Sequence, residues 1–219
     1  MNTIVLAAAE FETEPIARAF SLRGPKNFGV TKAWTGQLFT LVQTNIGKVH
    51  AAAVTQYVID RGRPVCIINV GVSGGFEKKV ALGDVVMPTE VMQYDHDQTK
   101  LGYPLGRIHN IEKVKLPLAP YRGKHSWKTG LCFTGDKLLS DKEEGKRLYA
   151  QFHPAVVDME LGAIVQVCYM QHIPVIALKS PVDIVEKEEV SSFTNRIEDS
   201  MKHLIEALRV VVSDTSHIQ

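Results

Sequence analysis

Residues 3–9 read TIVLAAA, a continuous apolar run without polar alternation. A strand with one face in water alternates apolar and polar side chains, whereas a run apolar on both faces belongs to a strand covered by helices on both sides. The pattern returns at 65–70 (VCIINV) and at 174–178 (PVIAL). Between these runs the apolar period becomes helical. Pro15 suits a first helical turn, and Ile16, Ala17 and Phe20 share a face after it. The stretch 48–60 is helical, and Leu161, Ile164, Val165 and Cys168 mark one face of a further helix. Ile197, Met201, Leu204, Ile205, Leu208 and Val212 form the stripe of a last one. Val30 to Asn45 reads as a hairpin about Gly36, and strands are expected through Met87, at 129–134 and at 155–159. Residues 93–126, with Pro104, Pro117 and Pro120, form a long excursion. Strand and helix alternate throughout. The expected fold is therefore α/β, a three-layer α/β/α sandwich about a central mixed, mainly parallel twisted sheet. It is expected as a single domain over 1–212 with a flexible tail at 213–219.

At 219 residues the chain is long enough for one sizeable core. Its 25 Lys and Arg against 24 Asp and Glu give a net charge of +1, no field for gripping a polyanion, so no nucleic acid is expected as a partner. No apolar run approaches the roughly 18 residues of a membrane span, and the N-terminus turns acidic where a secretory signal would be basic. Cys66, Cys132 and Cys168 are odd in number, far apart and set among apolar neighbours, as buried reduced thiols are. A cytoplasmic protein is expected.

In open α/β sheets ligands sit at the carboxyl ends of the strands. Those ends carry Glu10 and Glu12, the loop GVSGG at 71–75, Asp158 and Glu160 around Met159, and Asp183. There is no HExxH or CxxC, and the His96/Asp97 pair lacks a partner, so no metal is expected. GVSGG lacks the spacing of a nucleophile elbow, which leaves Ser73 a turn residue. It is also unlike the dinucleotide and triphosphate loops, but with Val72, Ser73 and Gly74 it would let a ligand approach the backbone closely. Carboxylates converging on such a loop suit cleavage at a sugar anomeric carbon, where one carboxylate activates water and a protonated one assists the leaving group. Taken singly, Glu12 or Asp158 is an ordinary helix-start charge. Only the joint pattern speaks for chemistry.

AAEFETE at 8–14, NIGKV at 45–49, GVSGG at 71–75, LGDVV at 82–86, YDHDQTKLGYPLG at 94–106, TGD at 134–136, VDMELGA at 157–163 and PVDIVE at 181–186 occur in this order. Together they resemble the purine nucleoside phosphorylase and nucleosidase family over nearly the whole chain. The D-x-T-x-x-G-Y spacing at Asp97, Thr99, Gly102 and Tyr103 resembles its methylthioadenosine/S-adenosylhomocysteine nucleosidase branch. The resemblance implies that Glu12, helped by Glu160, polarises the attacking water and that Glu160 grips the ribose hydroxyls with Met159 against the sugar. It implies that Asp183 bonds the purine and passes a proton to it, that Leu138 and Leu139 flank the base, and that Phe193 stacks on it. It implies that Ile46 and the partner-donated Gln98, Leu101 and Tyr103 form the pocket for the 5′-substituent, hence a homodimer. For Leu138, Leu139 and Ile46, plain core packing remains open. No cofactor is implied, and the partner is a small purine nucleoside.

The chain also departs from that pattern. Val182 stands where the family usually has Ser or Thr, so Asp183 is held differently or relies on Ser180. Lys179 replaces a common Arg and loses its planar fork. Asp158 replaces the commoner Glu, and Val72 replaces the Ser that phosphorylases use near phosphate. Hydrolysis of futalosine-type nucleosides and a non-catalytic relative are the competing expectations.

Overall fold

The computed structural model describes residues 3–185, 187 and 193–214, with the side chains of 193–195 excepted. Of the tail expected at 213–219, residues 215–219 lie outside the described residues. The strands are β1 (Thr3–Ala7), β2 (Arg23–Phe28), β3 (Thr31–Thr35), β4 (Thr40–Gln43), β5 (Cys66–Gly75), β6 (Val86–Gln93), β7 (Leu116–Pro117), β8 (Lys128–Thr134), β9 (Val156–Asp158) and β10 (Val175–Ile184). The helices are α1 (Glu10–Ala19), α2 (Lys48–Gly62), α3 (Lys142–Phe152), α4 (Leu161–Gln171) and α5 (Phe193–Ser213). This is a mixed α/β fold about a central sheet. No described helix is long and apolar enough to cross a membrane.

The unalternating runs behave as their composition demands. In β1, Ile4 and Leu6 join one core cluster with Val54 and Val58 of α2 and Ile164 of α4, while Val5 and Ala7 join another with Ile16 of α1 and Leu204 and Leu208 of α5. β10 divides the same way, with Val175 and Ala177 on the first side and Ile176 and Leu178 on the second. Successive side chains point to opposite faces, so a strand with helices packed against both faces is apolar at nearly every position.

Strand order decides where the chemistry sits. β1 pairs in parallel with β4 and β5, and an open wing continues antiparallel from β4 to β3 and β2. On the other side β5 meets both β9 and β10, and the path β10–β6–β8–β9–β5 returns to β10. Five strands thereby close into a ring, which removes their edges and encloses side chains.

Three readings of the sequence need correction. GVSGG is not a loop: Val72, Ser73 and Gly74 lie inside β5, paired with β10 from Gly71 to Gly75 and with β9 at Gly74 and Gly75. Nor is Ser73, buried in that strand, a turn residue. α1 begins at Glu10 rather than near Pro15, which sits inside the helix. Two strands and one α-helix were not anticipated, β2, β7 and α3. α3 starts where the Asp141 side chain accepts from the Glu143 and Glu144 N–H groups, at 2.9 and 3.0 Å. The excursion at 93–126 holds a short 3-10 turn at Thr99–Leu101 and β7. All three cysteines are buried and free.

Candidate active site

Glu12 is the third residue of α1, where a carboxylate can turn back onto the unpaired N–H groups of its own helix start. Its Oε2 accepts from Ala8 and Ala9 at 2.8 and 3.0 Å, and its Oε1 accepts from Val72 of β5 at 2.9 Å. The carboxylate lies against β5 at Gly71, where an added methyl would stand 2.6 Å from Oε1. Burial pushes the Glu12 carboxyl above its ordinary value, against the pull of Lys179 and the three N–H groups.

Asp158 and Thr134 end the neighbouring strands β9 and β8 in register. Asp158 Oδ1 accepts the Thr134 hydroxyl at 2.5 Å, and Oδ2 accepts the Leu161 N–H at 3.0 Å and holds Lys179 Nζ at 2.7 Å. The ion pair is 1–2% exposed. Burial works most strongly against the Lys179 ammonium, but the charges of Asp158, Cys132 and Glu160 with the Asp158 hydrogen bond together outweigh it and hold the amine above the usual lysine range. Asp158 is thus engaged in starting α4 and neutralising Lys179. Glu160 is left as the available acid on this segment. Its Oε1 accepts the Gly47 N–H at 2.9 Å, at the start of α2. Burial first, then the charge of Asp158, raise its carboxyl from 4.5 to about 7.

Asp183 follows a bulge in β10: Pro181 pairs with Ser73 and Asp183 with Gly74, so Val182 has no opposite residue. An added methyl at Gly74 would lie 3.1 Å from Asp183 Oδ1, so Gly71 and Gly74 seat two different carboxylates on one strand. Burial raises the Asp183 carboxyl, and the Arg196 charge opposes the rise. Val182 is buried, and the buried Ser180 hydroxyl has no hydrogen-bond partner among the described residues. Ser180 therefore does not hold Asp183. The missing hydroxyl at 182 is not replaced by its neighbour on β10.

The remaining candidates divide. Met159 is half-buried between Asp158 and Glu160. Leu138 is 71% exposed, whereas Leu139, 3% exposed, packs into the cluster of Phe76, Phe133 and Leu148. Ile46 is exposed beside Gly47, and Leu101 and Tyr103 are exposed, the Tyr103 ring lying edge-on to His109. Gln98 is half-buried, and its side-chain oxygen has no partner among the described residues. The Phe193 side chain lies outside the described residues. Among the described residues no group of three His, Cys, Asp or Glu side chains is placed to hold a metal ion. A surface groove of about 640 Å³ between Phe20, Arg23, Phe39 and Arg209 holds no acid and no candidate residue, so chemistry rather than concavity selects the site.

Gly47, Lys48 and Asp136, within NIGKV and TGD, carry no expected role in the sequence and join the site through hydrogen bonds. Asp136 Oδ1 accepts the Lys48 N–H at 2.7 Å, and Asp95 Oδ2 accepts the Asp136 N–H at 2.8 Å. Lys48 Nζ meets Asp95 Oδ1 at 2.7 Å and Gln93 Oε1 at 3.2 Å. The available signal was an aspartate just after a strand, a residue type that caps turns and helix starts.

Residues 2–212 match the model of a family described as the phosphorylase superfamily. The chain is 32% identical over 184 residues to the 5′-methylthioadenosine/S-adenosylhomocysteine nucleosidase of Aeromonas salmonicida, covering 79% of this chain and 80% of that one. The nucleosidase of the same name from Neisseria meningitidis, solved with methylthio-immucillin-A, superposes with a TM-score of 0.86 at 26% identity, over 96% and 98% of the two chains. The futalosine hydrolase of Helicobacter pylori superposes with a TM-score of 0.90 at 22% identity, over 98% of each chain, a likeness of fold.

Proposed function

The chain belongs to the phosphorylase superfamily, and from that premise we propose that it is a nucleosidase hydrolysing the N-glycosidic bond of 5′-substituted adenine nucleosides such as methylthioadenosine and S-adenosylhomocysteine. One observation carries the proposal: Glu12 and Asp183 lie against β5 at Gly71 and Gly74 and Glu160 lies on the start of α2 at Gly47, three acids from distant segments, each with its carboxyl raised above its ordinary value.

Asp183, whose carboxyl burial raises above its ordinary value, donates a proton to the purine while the C1′–N9 bond breaks and the bonding pair leaves with the base. The cationic sugar is attacked by a water whose proton passes to Glu12. The three N–H groups on Glu12 fix its direction toward that water. Glu160 accepts the ribose 2′ and 3′ hydroxyls, with Met159 against the sugar. Leu138 and Leu139 flank the adenine and Phe193 stacks on it. Ile46, Gln98, Leu101 and Tyr103 receive the 5′-substituent, the last three across the interface of a homodimer, a role suited to the exposed apolar Leu101 and Tyr103. Water rather than phosphate is the acceptor, in keeping with Val72 beside Glu12. The same proposal takes the architecture as a mainly parallel three-layer sandwich, a single domain over 1–212, in a cytoplasmic enzyme.

Release of free base is measured from methylthioadenosine, S-adenosylhomocysteine and a futalosine-type nucleoside, each with and without phosphate. Adenine appears without phosphate, and Asp183→Asn and Glu12→Gln each lose about 10²-fold or more. Turnover of the futalosine-type nucleoside alone replaces the substrate; binding of all three without turnover removes the enzyme.

A further inference from the structure

The bulge in β10 frees the Val182 carbonyl from the sheet ladder, and α5 takes it up: Arg196 Nη1 donates to that oxygen at 3.2 Å. One turn further along α5 the Ser200 hydroxyl donates to the Pro181 carbonyl at 3.4 Å, which also accepts the Gly83 N–H at 3.0 Å. Residues four apart share a helix face, so one face of α5 clamps both carbonyls that precede Asp183. The Val182 carbonyl and the Asp183 nitrogen belong to one planar peptide unit. Holding that oxygen therefore restricts the direction in which the Asp183 side chain leaves the strand. Neither Val182 nor Ser180 supplies a hydroxyl to do so.

We propose that Arg196 is the positioning residue of Asp183: it aims the acid by holding the Val182 carbonyl, which sets its guanidinium one peptide unit away from that residue. This rests on Asp183 being the acid of the proposed reaction. Around Gly74 of β5, against which Asp183 lies, stand Val157 of β9 and Val185, neither of which ionises. Glu12, Asp158, Glu160 and Lys179 act chiefly on one another. Arg196 of α5 is the cation whose charge bears on Asp183, pulling its carboxyl down against the effect of burial.

The test is the pH profile of kcat/KM for adenine release from methylthioadenosine. Arg196→Gln keeps a side-chain N–H and loses the charge; Asp183 then keeps its proton to higher pH, and the basic limb moves up by about one pH unit. Arg196→Lys keeps the charge and leaves the limb where the unsubstituted enzyme has it. Arg196→Met serves in place of the glutamine variant should that chain fail to fold. An inactive Asp183→Asn alongside an unmoved limb in the neutral Arg196 variants overturns the inference, as does an equal shift in the lysine variant. A fully active Asp183→Asn instead overturns the role of Asp183 itself.

Discussion

Lys179 and Lys48 each meet an aspartate at 2.7 Å, yet the two pairs occupy different worlds. Lys179–Asp158 lies where β8, β9 and β10 converge and is 1–2% exposed; Lys48–Asp95 lies at the rim, about 20% exposed, in a chain of polar groups reaching Asp136 and Gln93. Equal length does not mean equal worth. In the dry interior neither partner can fall back on water, so each holds the other charged; at the rim, solvent replaces whichever partner is removed. The inner pair also sits between the acids of the site, and its charges act on both Glu12 and Glu160.

The sharpest way to break this contrast is Lys179→Met, which strands Asp158 without a counter-charge. It is expected to cost about 3–5 kcal/mol in urea unfolding, and a double variant with Asp158→Asn recovers most of that. A loss within a few tenths of a kcal/mol of Lys48→Met would show the two settings to be equivalent. Next in size comes Glu160, whose folded value of about 7 exceeds its reference of 4.5. Between those values the folded chain binds the extra proton, so this group makes stability fall as pH rises through that window. Unfolding measured across the window shows a negative slope, and Glu160→Gln flattens it; an unchanged slope would assign the effect elsewhere. The smallest effect belongs to Lys48→Met, about 1 kcal/mol or less, shrinking further in high salt. A salt-independent loss at Lys48 would place it with the inner pair.

Much of the scaffold was legible because its signals are periodic. TIVLAAA and VCIINV are apolar at every position but Thr3 and Asn69, because their successive side chains join two clusters, one with α2 and α4 and the other with α1 and α5. β2, RGPKNF, carries no such pattern, since it is exposed along nearly its whole length. α3, KEEGKRLYAQF, is polar at most positions and fully buries only Gly145 and Leu148, so its helical face was too thin to read. Glu12 and Glu160 stand just past β1 and β9, and Asp183 near the end of β10, the positions where an α/β sheet meets its ligand, which made these three acids readable. GVSGG was misread because a run of glycines suggests a turn, whereas here the missing side chains admit Glu12 and Asp183 against a strand. The Gly47 N–H on Glu160 left no trace in residue type, because a backbone donor is common to every residue but proline. The clamp from Arg196 was equally hidden, as it depends on a one-residue bulge between distant segments.

The open wing ends on β2, and that ending decides how copies of the protein can and cannot meet. An unpaired strand edge is a template for a further strand and, repeated, for aggregates. Here the edge offers Arg23, Pro25 and Lys26: two charges to repel a like edge, and a proline with no N–H to give. Association by extending the sheet through β2 is thereby discouraged. The homodimer proposed above is then better served by side chains packing on side chains than by a sheet continued through this edge.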